Sequence, residues 1–394
     1  MLRQIALLAI ISVAFTSAIA QKSAWPTHGW AKETPANVGL DEKSLSAFDH
    51  DLGSGKYFLV DSFDVFRCGM SVYSGKYSHD YEKIYGKEAH TRGPLNARLT
   101  GPYNYFDPEW HPYYHGTDLH SMQSISKTVS SIILGIAITR GDFKASLDTP
   151  LVHYFDISKV KNVDDRKKRI TLRHVLTMTT GLEWNEETAY DDPKNDSSLM
   201  EATDDWIQYV INRPMAQEPG KVFNYSSGVS ELLAYIFQKE TGQDIEKYGQ
   251  KYLFEPLGMD HYWKRTKMGV VDTEGGLYLR SSDLAKIGYL YLHGGNWNGQ
   301  QVVSKDWVSE SLSPFTDAEE GFKYGFKWWL LPDPVDSGFI WMGRGFGEQL
   351  LMVFPKRDLI VVFTGWTILG NTPSLAEYVQ RIRSAIKSND CNKH

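Results

Sequence analysis

One stretch restricts this chain more than any other. Thr128 to Ile138 is apolar nearly all round, and Ser124-Ile125-Ser126-Lys127 stands at its head. Val129, Ile132, Ile133, Leu134 and Ile136 leave little polar face, so a helix here is wrapped by protein on most sides and the fold must be built around it. On such a helix, residues at i and i+3 are neighbours, which brings the Lys127 amine within reach of the Ser124 hydroxyl. A serine is a weak nucleophile until a base takes its proton. The run Asp118-Leu119-His120-Ser121-Met122-Gln123 offers capping groups just ahead, and the free N–H groups of the first turn then lie near Ser124, where negative charge is favoured. Serine and lysine at this spacing arise by chance in many chains. What gives the pair weight is the apolar surround, because a buried lysine is rare unless paired or employed, and burial disfavours the charged form of an amine.

The N-terminal twenty residues read as a secretory leader, with Arg3 as the basic end, an apolar core from Ile5 to Phe15, and Ala18-Ile19-Ala20 as a small-x-small cleavage site before Gln21. The apolar core is short for a membrane span. Export to the periplasm or medium is expected, with no membrane span left after cleavage. In that oxidising setting the only cysteines, Cys68 and Cys391, can pair, although the sequence does not place them side by side. Cys391 falls in a polar tail, Ser388 to His394, that reads as mobile.

The 394 residues exceed what one core usually organises. The expected division is an α/β domain from residues 25–115 and 260–388, a helical domain over 116–259, and a flexible tail at 389–394. The net charge of −6 is mild and unpatterned, which speaks against nucleic acid or an anionic membrane as partner. The dense charge run at 159–169 reads as a solvated loop.

Strand-like segments occupy both ends. Val65-Phe66, Met70 to Tyr73, a Ser74-Gly75 turn and a run from Tyr81 to Tyr85 suggest an early hairpin. Phe339 to Met342, Gln349 to Phe354 and Leu359 to Phe363 suggest a late antiparallel meander, followed by a helix from Thr372-Pro373 to about Lys387. Helices are expected between the ends at Ile125 to Thr139, Leu172 to Met178, Met200 to Asn212, Val229 to Glu240, Ile245 to Tyr252 and, capped by Ser282, Asp283 to Leu292. Strands at the ends around a helical middle imply one sheet shared by both termini.

Two further constellations carry chemistry. Tyr225, in Phe223-Asn224-Tyr225-Ser226-Ser227-Gly228 ahead of an apolar helix, can pass a proton if a neighbouring ammonium lowers its phenol. Gly343-Arg344-Gly345-Phe346-Gly347 lies between strands, where glycines let substrate approach backbone N–H groups. Its spacing and flanking strands do not suit a dinucleotide loop. His111, His115 and His120 read as loop histidines rather than metal ligands, so no metal or cofactor is expected. No G-x-S-x-G elbow is present.

In this order, the S-x-x-K helix, the Tyr-Ser-Ser turn and the glycine-rich strand resemble the penicilloyl-type serine hydrolases: class C β-lactamases, D-alanyl-D-alanine carboxypeptidases, and related esterases and amidases. Leu176 to Trp184, Asp272 to Tyr278 and Asp283 to Lys286 add to the likeness, which spans roughly Asp64 to Thr364. The resemblance implies a β-lactamase/transpeptidase-like α/β fold, an antiparallel sheet flanked by helices with an inserted helical domain. It implies that Ser124 is acylated, that Lys127 activates it, that Tyr225 relays the proton, and that the N–H groups of Ser124 and Phe346 form the oxyanion hole. Substrate contacts would come from Ser227, Gly345 and Arg344. The loop Tyr190 to Pro193 resembles the amide-hydrolysing branch similar to 6-aminohexanoate-dimer hydrolase, which adds Tyr190 to them.

Two departures bear on substrate. Ser227 stands where the family usually has asparagine, and Gly343 stands where it usually has lysine or histidine, with Arg344 one place on and expected on the opposite strand face. The expected activity is therefore hydrolysis of a small ester or amide through a Ser124 acyl-enzyme. The alternatives are carboxypeptidase or β-lactamase activity, or a sensor that acylates without turning over.

Overall fold

The computed structural model describes residues 25–370, 374–389 and 391. The leader and the Thr372-Pro373 helix start lie outside the described residues.

Nine strands form the main sheet. In chain order they are β1 Ala31–Lys32, β2 Val60–Arg67, β3 Met70–Lys76, β4 Thr316–Asp317, β5 Lys323–Tyr324, β6 Trp329–Pro332, β7 Phe339–Gly345, β8 Gln349–Phe354 and β9 Leu359–Gly365. Their spatial order is β1-β3-β2-β9-β8-β7-β6-β5-β4. The junction of the two chain ends is the β2–β9 pair, with Val65 opposite Val361 and Phe63 opposite Phe363. The expected meander is present as β7, β8 and β9. The sheet is mixed rather than wholly antiparallel, because the short β1 runs parallel to β3. β8 and β9 are buried along their whole length, as continuous apolar runs covered on both faces should be. On one face Phe63 stacks on Phe363 at 5.0 Å beside Phe48 and Tyr378, from the helices Glu42–Gly53 and Leu375–Ser384. On the other lies the helix Ser281–Leu292, which comes so close that a Cβ on Gly288 would sit 2.9 Å from Val353.

The early hairpin differs from expectation. Its turn is Cys68-Gly69, both at positive φ, while Ser74 and Gly75 continue β3. Tyr81 to Tyr85 is the start of a helix, Tyr81–Ala89, because Asp80 caps it by accepting from the Lys83 N–H and the two tyrosines fall one turn apart and stack. The aromatic content that suggested a strand instead forms one helix face. Met200 to Asn212 is likewise two helices, Asp196–Glu201 and Trp206–Ile211, with Asp205 capping the second. The helix expected from Asp283 starts at Ser281 with Arg280 as its N-cap, so that Ser282, the expected cap, lies inside its first turn, while the Ser281 hydroxyl donates to Asp64.

Cys68 and Cys391 are joined by a disulfide across 323 residues of sequence. The C-terminal segment is further tied down: the Arg67 guanidinium donates to the Ser388 carbonyl at 2.7 Å, and the Lys387 N–H to Gly39.

The helix Ile125–Arg140 runs through the core and is buried from Ile125 to Ala137. Gly135 is required midway, since the Trp307 indole lies 2.3 Å from where its Cβ would be. The helix ends at Gly141, in the left-handed conformation that favours glycine at this position.

Candidate active site

Ser124 is the N-cap residue of the buried helix and is half-exposed while the thirteen residues after it are buried. The preceding residue, Gln123, is held at φ 48°, a left-handed conformation that a side chain adopts only when its surroundings hold it there. Those surroundings are visible: the Gln123 amide donates to Ser121 Oγ, and its carbonyl accepts from Ser126 Oγ at 2.6 Å. Ser126 in turn accepts from the Leu277 N–H. The turn that presents Ser124 is thus fixed from both sides.

Lys127, 1% exposed, donates from Nζ to Ser124 Oγ at 2.7 Å. It also donates to the Glu274 carbonyl at 2.6 Å, and the Glu274 carboxylate lies 3.5 Å away. Tyr225 comes from the turn before the helix Ser227–Thr241, whose N-cap Ser226 accepts from the Val229 N–H. The Ser124 hydroxyl is within hydrogen-bond reach of its phenol, and Lys127 Nζ sits 5.3 Å from its ring centroid. The three expected chemical groups therefore meet. Tyr225 differs electrostatically from expectation. Burial first, and then the nearby Glu186 carboxylate, push its phenol well above the ordinary value, against the contact with Ser124. The phenol holds its proton, and it can donate or relay one rather than stand as a phenolate.

Gly345, at the end of β7, lies against the segment before Ser124: a Cβ there would be 2.5 Å from the Met122 carbonyl oxygen. The next residue, Phe346, opens the turn to β8. Neither Ser124 nor Phe346 lies inside a helix or strand ladder, and neither N–H is engaged in the turn and loop hydrogen bonds among the described residues.

Glu186 was not singled out from sequence, yet it organises one side of the site. Its carboxylate accepts from the Ser227 hydroxyl at 2.6 Å, the Ser227 N–H at 2.7 Å, the Trp184 indole at 2.6 Å and the Tyr190 phenol at 2.7 Å. Burial raises its carboxyl, opposed by the Lys127 charge and by these hydrogen bonds. Ser227 is fully buried, and its hydroxyl lies within hydrogen-bond reach of Glu274 as well as donating to Glu186. The Tyr190 ring lies 4.5 Å from that of Phe346, so the two form an aromatic wall beside the nucleophile turn.

Arg344 leaves β7 on the face away from Gly343 and Gly345, whose absent side chains would meet Ile125 and Met122. Its guanidinium is partly exposed and lies 3.9 Å from the carboxylate of the exposed Glu320. It also lies 4.8 Å over Trp329, and Trp329 stacks on Tyr225 at 5.6 Å. The three histidines occupy separate surroundings: His111 is buried between Tyr105 and Trp366, His120 is 3.0 Å from Asp61, and His115 is paired with Glu109. His111 lies in a loop, as expected, though a buried one, whereas His120 is buried in the short strand His120–Ser121. Among the described residues the only grouping with metal-ligand spacing is Cys68, Asp358 and Cys391, and its sulfurs are already bonded to each other.

The sequence profile of the Beta-lactamase family matches residues 109–365. The chain belongs to that family. It is 26% identical over 267 residues to the 6-aminohexanoate-dimer hydrolase of Paenarthrobacter ureafaciens, a match covering 62% of this chain and 65% of that relative. In fold it is similar to a putative 6-aminohexanoate-dimer hydrolase from Bacillus anthracis, with a TM-score of 0.61 at 17% identity over 90% of this chain and 86% of that one. It is also similar to a family VIII carboxylesterase, with a TM-score of 0.59 at 14% identity over 87% and 96%. As a member of this family it is a serine hydrolase with the β-lactamase/transpeptidase-like fold. No helix among the described residues is long and apolar enough to cross a membrane.

Proposed function

We propose that this hydrolase cleaves a small, largely apolar ester or amide through an acyl-enzyme on Ser124. The observation that carries the reading is the 2.7 Å contact between Lys127 Nζ and Ser124 Oγ at the mouth of a buried helix. As the Ser124 oxygen attacks the carbonyl carbon, its proton passes to Lys127. The carbonyl oxygen, now negative, is received by the N–H groups of Ser124 and Phe346. Tyr225, whose phenol keeps its proton, donates to the departing alkoxide or amine and is reprotonated through Lys127. Water then attacks the acyl carbon, and the same groups run in reverse to restore Ser124.

The wall of Tyr190 and Phe346 favours an uncharged group beside the scissile bond. Gly343 offers no cation where the family usually has one, which supports esters and simple amides over β-lactams and peptidoglycan stems. We further propose export, on the leader-like N-terminus together with the Cys68–Cys391 bridge, a bond that persists in oxidising compartments. N-terminal sequencing of protein recovered outside the cytoplasm should begin near Gln21. Steady release of p-nitrophenol from p-nitrophenyl acetate over many turnovers is expected; a single stoichiometric burst would instead indicate a sensor that acylates without turning over.

A further inference from the structure

Behind Lys127 lies a buried set of charges that the acyl-transfer steps do not use. Glu274 is 4% exposed, and one oxygen of its carboxylate has no protein donor. The carboxyl of Glu201, from the helix Asp196–Glu201, is within hydrogen-bond reach of it and accepts from the Tyr105 phenol at 2.6 Å. Two ionised carboxylates cannot share such a site without either a strong repulsion or a proton between them. A proton on Glu201 removes the repulsion and supplies Glu274 with its missing donor.

We infer that Glu274 is a positioning residue that acts through Lys127, holding the amine on Ser124 and stabilising the ammonium that forms as Ser124 gives up its proton, with Glu201 as its proton-bearing partner. The inference rests on the Ser124 acyl-enzyme reading. The proton balance is simple: one proton moves from Ser124 Oγ to Lys127 Nζ, Glu274 stays an anion throughout, and Glu201 stays neutral. The division follows from the surroundings. Burial and the Glu274 charge raise Glu201 well above the ordinary carboxyl range, whereas for Glu274 the effect of burial is outweighed by Lys127, the Glu201 hydrogen bond and Lys264, which hold it below that range.

The other charged and titratable groups facing this centre are accounted for. Lys264 lies 3.7 Å from Asp272, which also accepts from the Tyr103 phenol and the Gly275 N–H. Glu231, on the helix carrying Ser227, accepts from the Thr273 N–H, and burial followed by the Asp272 charge pushes it up. Lys327 donates to Ser230 and is held well below the usual lysine range by burial and the Lys127 charge. Glu186 acts on Tyr225 and also feels the Lys127 charge, without being paired to it. None of these places another carboxylate on Lys127: among the described residues its paired carboxylate is Glu274.

The test is the pH dependence of kcat/KM on p-nitrophenyl acetate, with fluorophosphonate labelling of Ser124 as a separate control. Glu274→Gln removes the counter-charge that favours protonated Lys127, so the acid limb should move to lower pH by about one unit or more while the maximal rate falls. Glu201→Gln keeps a neutral hydrogen-bond donor and should leave the limb where it is. A merely structural role for Glu274 would lower the rate without moving the limb, and that result overturns the inference. A limb that shifts in Glu201→Gln as well places a charge on Glu201 and overturns the proton assignment. Should Glu274→Gln fail to fold, infrared difference spectra between wild type and Glu201→Gln decide: loss of a protonated-carboxyl C=O band at neutral pH supports the assignment, and its absence contradicts it. Wild-type protein that is not labelled at Ser124 refutes the acyl-enzyme reading itself, a failure distinct from an unmoved limb in labelled protein.

Discussion

The carboxylate of Glu186 grips the first residue of the Ser227–Thr241 helix at two points, accepting from the Ser227 N–H at 2.7 Å and from its hydroxyl at 2.6 Å. A carboxylate at a helix N-terminus satisfies a free N–H and favours the positive end of the helix dipole. Tyr225 is two residues upstream, so this clamp also fixes the turn that carries the phenol. Hydrogen bonds to a charged group are worth about 1.5–3 kcal/mol each. Ser227→Ala is therefore expected to lower kcat on p-nitrophenyl acetate by roughly tenfold or more, with folding intact by circular dichroism. A rate unchanged from wild type would mean that the clamp does not position Tyr225.

Lys127 and Tyr225 both converge on the Ser124 hydroxyl. If they move one proton between them, their removal is not additive. Lys127→Ala, Tyr225→Phe and the double variant should show similar residual rates, each lower by about a hundredfold or more. Losses that multiply in the double variant would show two independent roles.

Arg344 touches the site through Trp329, over which its guanidinium lies at 4.8 Å. Arg344→Ala is expected to lower activity by a few-fold, and equally on a neutral ester and on the same ester carrying a terminal carboxylate. A loss confined to the charged ester would mean that the guanidinium grips the carboxylate in paired hydrogen bonds, as a carboxypeptidase would require.

Glu348, buried in the turn after Phe346, has its carboxyl pushed up to about 7 by burial, against the opposing Arg344 charge. The folded state thus holds a proton that the unfolded chain releases near the ordinary value of 4.5. This contribution to stability is fully present below about 4.5, is lost as pH rises, and is gone above about 7, a change of up to about 3 kcal/mol. Glu348→Gln should remove the dependence. Its Tm relative to wild type should rise between pH 5 and pH 8 in thermal melts, by roughly several degrees; a constant offset across that range would contradict the burial argument.

The sequence carried the chemistry that is local and the sheet segments whose apolar runs are long. Ser124 and Lys127 are three residues apart on one helix, so their contact follows from helix geometry alone. The meander of β7, β8 and β9 was legible for a similar reason, since its buried strands are continuous apolar runs. Glu186 and Glu274 were not legible as site residues: each reaches the site from a loop distant in sequence, and nothing in Trp184-Asn185-Glu186 or Thr273-Glu274-Gly275 distinguishes a buried carboxylate from a solvated one. The misread Tyr81 to Tyr85 segment shows the limit of residue type as a guide, because its aromatics pack as one helix face once Asp80 caps the turn. Tyr225 was found, but its protonation was not, since the Glu186 charge beside it became visible only in three dimensions.

The central claim is that Ser124 becomes acylated, and intact-mass analysis after reaction with a fluorophosphonate probe tests it most directly. Wild-type protein should gain the mass of one adduct, peptide mapping should place it on Ser124, and Ser124→Ala should gain none. A single adduct that persists in Ser124→Ala, or maps to another residue, would contradict the account.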